Sequence, residues 1–174
     1  MKKGFTLTEF LIVIVIIGVL ALIIFPYYFS AQKQLALQRS VNKLAQDIRK
    51  VQGMALSAEE WEGVSENGFG IYLRKKPSPQ TSYILFADRD GDKKLNFGSD
   101  PNEEIFLENG IKIKNLPANH VNIVFKPPKP EVYFKDNDLI DLGSEITIEI
   151  SLIDDESKSK RIIINKAGLI SVEQ

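Results

Sequence analysis

Apolar residues fall along this chain in three successive rhythms. From Phe10 to Phe29 they form a nearly unbroken run, "FLIVIVIIGVLALIIFPYYF", apolar on every side of a helix rather than on one face. From Leu37 to Ala55 they thin to a stripe of Leu37, Val41, Leu44, Ile48, Val51 and Ala55, at alternating steps of four and three. Polar and charged residues fill the gaps, so the spacing predicts a helix with one narrow apolar face that packs on a sheet. Gly53 or "SENG" (Ser65–Gly68) marks its end. Beyond that point "GFGIYLR", "SYILFA", "EIFLE", "IKIK", "VNIVF", "EVYF", "EITIEISLI", "RIIIN" and "LISVE" read as strands, rich in β-branched and aromatic residues. In Glu145–Ile153, Ile146, Ile148, Ile150 and Leu152 alternate with Thr147, Glu149 and Ser151, which predicts one core face and one wet face. "DDESKSK" (Asp154–Lys160) and "NKAG" (Asn165–Gly168) read as the turns that follow. The fold class is α+β: a long N-terminal helix packed on a C-terminal antiparallel β domain.

The first run is long enough to cross a bilayer. An α-helix rises about 1.5 Å per residue, so a hydrocarbon core of about 30 Å takes roughly 20 apolar residues. Lys2 and Lys3 precede the run and no basic residue follows until Lys33. That asymmetry predicts a single pass through the plasma membrane, with the amino end cytoplasmic and the bulk of the chain exported. A cleavable secretory signal would have a shorter apolar core and a small-residue cleavage site. Here Phe25, Tyr27, Tyr28 and Phe29 stand where that site belongs, as an interfacial aromatic belt does.

One acid, Glu9, opens the apolar run. Intramembrane carboxylates are costly and usually partnered, and no basic residue inside the run supplies a partner. Glu9 either lies at the headgroup level or takes a positive charge from another molecule or a new amino terminus. "KKGFTLTEFLIVIVIIGVLALIIFP" (Lys2–Pro26) resembles the N-terminal motif of type IV pilins and of the pseudopilins of type II secretion systems. The resemblance implies a leader, residues 1–4, that a prepilin peptidase removes after Gly4. Phe5 becomes the N-methylated amino terminus, Glu9 the motif's acid four residues on, and Pro26 the helix-kinking proline. Residues 5–29 become the transmembrane and assembly helix, 30–62 its amphipathic continuation and 63–174 the exported β domain. The implied partners are the peptidase, other pilin or pseudopilin subunits, an inner-membrane assembly platform and the bilayer. Glu9 then meets the Phe5 amine of a neighbouring subunit as the helix leaves the membrane for a filament. The C-terminal order "VNIVFKPPKPEVYF…EITIEISLI…KRIIINKAGLISVE" is similar to the β domain of GspH/FimT-type minor pseudopilins.

Composition narrows the remaining chemistry. The chain has 174 residues, room for one modest domain, and a net charge of -1, which predicts no broadly basic nucleic-acid surface. With no cysteine, disulfides, thiolate metal sites and a cysteine nucleophile are excluded. One histidine, His120, reads as a turn or surface residue, and no nucleophile elbow or phosphate-cradling glycine motif is present, so no enzyme is expected. No cofactor is implied, with one exception. In "FADRDGDKKLNFGSDPNEEI", Asp88, Asp90 and Asp92 alternate as calcium ligands do, yet Lys93 occupies the place where an EF-hand loop needs Gly. A solvated turn accounts for the same residues. Lys75, Lys76, Lys126 and Lys129 offer a basic patch for DNA, with loop solubility as the competing reading. Two functions stand at this point: a structural filament subunit, or a pilus-associated module that binds DNA, a surface or a secreted substrate.

Overall fold

A computed structural model describes residues 4, 6–57, 59–64, 66–127 and 131–173. The chain divides into two compact units, residues 1–35 and 36–174. Helix α1 (Leu7–Ser57) contributes to both.

In the first unit α1 begins at Leu7 and its apolar side chains are exposed on all sides, from Leu7 and Phe10 through Phe25, Tyr27, Tyr28 and Phe29. The helix is long and apolar enough to cross a membrane. Exposure on that scale is incompatible with water and appropriate to lipid or to a bundle of like helices. Pro26 lies inside α1, and its side chain falls outside the described residues.

The second unit is built on the predicted stripe. Leu37, Val41, Leu44, Ile48, Val51 and Ala55 are all buried. α1 ends at Ser57, short of residue 62, with the Ser57 hydroxyl donating to the Gly53 carbonyl at 3.0 Å. Trp61 and Val64 then pair across a tight turn in which Glu62 and Gly63 both have positive φ. Among the described residues nine strands follow, all near their predicted positions: β1 (Phe69–Arg74), β2 (Ser82–Ala87), β3 (Asn102–Phe106), β4 (Ile111–Asn115), β5 (His120–Lys126), β6 (Glu131–Lys135), β7 (Glu145–Leu152), β8 (Ser159–Asn165) and β9 (Ile170–Glu173). They form two antiparallel sheets, ordered β3-β2-β1-β5-β6 and β4-β7-β8-β9. A bridge between Gln80 and Ile113 links the sheets, closed by the Ile113 N–H donating to the Gln80 carbonyl at 2.8 Å.

One apolar cluster holds the helix stripe together with the inward faces of both sheets. Phe69, Ile71 and Leu73 of β1 alternate into it, as do Tyr83 and Leu85 of β2 and Ile146, Ile148, Ile150 and Leu152 of β7. Ser151 departs from the predicted wet face of β7: it is fully buried, and its hydroxyl donates to the Leu152 carbonyl at 3.1 Å. Polar clamps then fix the helix register. Arg39 makes a two-pronged ion pair with Glu108, at 2.7 and 2.8 Å, and Gln52 donates to the Gly168 carbonyl at 3.0 Å. Gly70 is required by packing, because a Cβ there would sit 2.5 Å from the Phe86 ring and 2.9 Å from the Ile123 carbonyl oxygen.

Ile48→Ala is expected to cost about 2–5 kcal/mol of stability, because it empties a fully buried site in this cluster. Gln46→Ala, on the exposed side of the same helix, should stay within about 0.5 kcal/mol. Chemical denaturation monitored by circular dichroism checks both. Equal effects would mean that the stripe is not what holds the helix to the β domain.

Candidate assembly site and candidate ligand loops

The start of α1 is a closed hydrogen-bonded unit. Thr6 precedes the first helical residue and Glu9 lies three positions on, which is the spacing of a capping box. The Thr6 backbone N–H donates to Glu9 Oε2 at 2.8 Å, and the Thr6 hydroxyl donates to the same oxygen at 2.7 Å. In return the Glu9 N–H faces Thr6 Oγ1 at 3.3 Å. A carboxylate in the first helical turn is also favoured by the partial positive charge of the helix N-terminus. Glu9 therefore has neutral donors within its own chain, a partner the sequence reading did not name. Its signal was available in "TLTE", a Thr-x-x-Glu pattern ahead of an apolar run. Gly4 lies outside the helix and is exposed, and Phe5 lies outside the described residues.

The acidic loop is more than a solvated turn. Asp88 is fully buried and Asp100 nearly so, while Leu95 inserts between Tyr72, Ile84, Phe86 and Val124 on the outer face of the five-stranded sheet. Asn122, buried on that face, accepts the Leu95 N–H at 3.0 Å. The loop between β2 and β3 is thus a flap over a second small apolar cluster. That is why the covered outward residues Tyr72 of β1, Ile84 and Phe86 of β2 and Val124 of β5 are apolar or aromatic too, and why those strands read as continuous runs rather than alternations.

Asp88, Asp90 and Asp92 do come together, with one oxygen from each lying within 4.8 Å of the others. Every one of their oxygens already accepts a donor. Asp88 takes the Gly91 and Lys93 N–H groups at 2.7 and 2.9 Å, and Asp90 and Asp92 take the N–H groups two residues on. The Asn96 amide bridges the remaining oxygens of Asp90 and Asp92 at 3.0 and 2.9 Å, and the Lys94 ammonium stands 3.5 Å from Asp92. Lys93 has φ of 69°, so the backbone adopts the left-handed turn at the position where a calcium loop places Gly. A cation at the three carboxylates would compete with the Asn96 amide and the Lys94 ammonium for these oxygens. Burial pushes the Asp88 carboxyl up from the usual 3.8 to about 6, against the two backbone donors, and the neighbouring Asp92 and Asp90 charges add to the rise.

Lys75 and Lys126 do not lie together. β1 and β5 pair with Phe69 opposite Phe125 and Arg74 opposite His120, which puts Lys75 and Lys126 at opposite ends of the pair. At about 3.3 Å per residue that separation is roughly 20 Å. Lys129 lies outside the described residues. His120 is not a surface turn residue. It opens β5, half-buried, with Nδ1 2.7 Å from the Tyr72 hydroxyl and its ring stacked on Tyr72.

Residues 1–25 match the family model of the prokaryotic N-terminal methylation motif. No curated protein and no solved structure matches the chain. The match supports a type IV pilin-like subunit, processed by a prepilin peptidase and assembled with other pilin subunits, and it extends over none of the β domain.

Asp88 makes a pH prediction whose sign follows from the raised value. The folded chain holds the Asp88 proton between about pH 4 and 6 while the unfolded chain has released it, so this contribution to stability is present in acid and lost as pH rises through 6. Asp88→Asn cannot titrate and should gain on the wild type between pH 4 and 7 in parallel denaturation curves. A difference that is flat across that window would show that Asp88 titrates normally.

Proposed function

We propose that the protein is a minor pilin or pseudopilin, a structural subunit of a type IV pilus-like or type II secretion filament. The observation that carries this reading is the coincidence of the methylation motif with a helix whose apolar surface is exposed on all sides and headed by a single acid. Peptidase cleavage after Gly4 releases residues 1–4 and exposes the Phe5 α-amine, which is then methylated. Before assembly the helix anchors the subunit in the plasma membrane with its amino end cytoplasmic and the β domain exported. During assembly the apolar surface leaves lipid for the same surface of other subunits, and Glu9 pairs with the Phe5 ammonium of a neighbour. An ion pair in apolar surroundings is strongly distance-dependent, so it favours one axial stagger and penalises the others. The minor-pseudopilin form is supported by the order of the last elements: the long strand β7, a polar turn, β8 with Lys160 and Arg161, a turn at Gly168, and the short strand β9. The subunit has no reaction of its own in this scheme.

Two measurements test it. Coexpression with a prepilin peptidase should yield, by mass spectrometry, a chain lacking Met1–Gly4 and carrying one added methyl on Phe5. Glu9→Ala should mature normally yet lower filament yield at least about tenfold, the loss expected when one partner of a buried charge pair is truncated. An uncleaved chain, or wild-type filament yield from the matured variant, overturns the proposal.

A further inference from the structure

Asparagine followed by glycine occurs twice in the chain, as Asn67–Gly68 and Asn109–Gly110. The pair is chemically reactive, because glycine has no Cβ to shield its nitrogen from the amide carbon of the preceding side chain. The fold treats the two copies differently. Asn67 is held: its Nδ2 donates to the Arg89 carbonyl at 2.7 Å, and Gly68 is buried. Asn109 and Gly110 are both exposed, at the centre of the turn Glu108–Ile111 that carries the chain from β3 of one sheet to β4 of the other. The Ile111 N–H donates to the Glu108 carbonyl at 3.1 Å across this turn, and Gly110 has φ of 83°. Among the described residues neither the Asn109 amide nor the Gly110 N–H has a hydrogen-bond partner. Electrophile and nucleophile are adjacent, unengaged and open to water.

We propose that Asn109 is a site of spontaneous covalent modification, where attack by the Gly110 nitrogen turns the asparagine into a mixture of aspartate and isoaspartate. The nitrogen gives its proton to hydroxide and bonds to Asn109 Cγ. The Cγ–Nδ2 bond breaks, and Nδ2 leaves as ammonia. Water then opens the cyclic imide. Opening at Cγ restores the ordinary main chain with an aspartate, and opening at the Asn109 main-chain carbonyl routes the chain through Cγ as isoaspartate. The net change is amide plus water to acid plus ammonia, with nothing oxidised or reduced. The turn that changes is tied to its surroundings on both sides. The Glu108 N–H donates to Ser40 Oγ of α1 at 3.1 Å, the Glu108 carboxylate holds Arg39, and the Gly110 carbonyl accepts the Ile153 N–H at 2.8 Å. Isoaspartate lengthens the main chain between these ties by one carbon, so modification loosens the clamp on the helix from within the turn.

The full chain in detergent micelles is aged at mildly alkaline pH and followed by peptide mass spectrometry, with isoaspartate scored by enzymatic methyl labelling. Asn109 is expected to convert at least about tenfold faster than Asn67, whose hydrogen bond must break before attack. In denaturant only the shared dipeptide remains, and the two rates should agree within about twofold. Aged wild type should unfold at lower denaturant than fresh protein, while Asn109→Gln, which keeps an amide but places it one carbon too far for the same ring closure, should not shift on ageing. Equal rates at the two sites in the folded chain overturn the proposal, and so does an Asn109 that stays intact there. A rate difference that persists in denaturant overturns it too, by tracing the effect to flanking residues rather than to the fold. An unshifted midpoint in fully converted wild type overturns the loosening of the clamp.

Discussion

A carboxylate at the head of an apolar helix must find donors, and the first unit of this chain is arranged around that requirement. Glu9 satisfies it first within its own chain, through the N–H and hydroxyl of Thr6. The solution costs no charge, because neutral donors leave the carboxylate anionic and able to attract an ammonium. The helix behind it, exposed on all sides, has no protein core of its own to enter. Its surface is stable only in lipid or against like helices, and a lone anion in such company is tolerated only where a counter-charge arrives. On the proposed function, anchoring and assembly are two states of one physical problem.

The β domain solves a separate problem. A helix with a narrow apolar stripe cannot stand alone in water, and two small sheets supply the rest of its core. The clamps from Arg39 and Gln52 add geometry more than energy, since exposed ion pairs contribute little. They fix which turn of the helix faces which strand. The flap between β2 and β3 completes the layer by covering the outer face of the five-stranded sheet through Leu95. Its acids serve the flap itself: with every oxygen of Asp88, Asp90 and Asp92 engaged, the loop is closed by its own backbone and by Asn96.

Local patterns account for much of this. The steps of four and three from Leu37 to Ala55 identified the buried helix face residue by residue, and each of the nine apolar-rich segments became a strand. Register effects were beyond such patterns. Ser151 sits at a wet position of an alternating strand and is buried, because burial depends on what lies across the sheet and not on the strand's own alternation. His120 reads as loop and lies in β5 against Tyr72, a residue 48 positions away. The four lysines look like one patch along the chain, and antiparallel pairing sends Lys75 and Lys126 to opposite ends.

What the sequence determined by itself is whatever depends on near neighbours: the membrane-length run, the stripe, the strands, the leader motif, and in "TLTE" the spacing of a capping box. Such features follow from rise per residue, periodicity and hydrogen bonds that span three or four positions. The tertiary structure alone decided which faces of the strands are covered, where the flap lands, and that His120 stacks on Tyr72. Those outcomes turn on contacts between distant segments, or on the direction in which a side chain points, and no count of positions along the chain contains either.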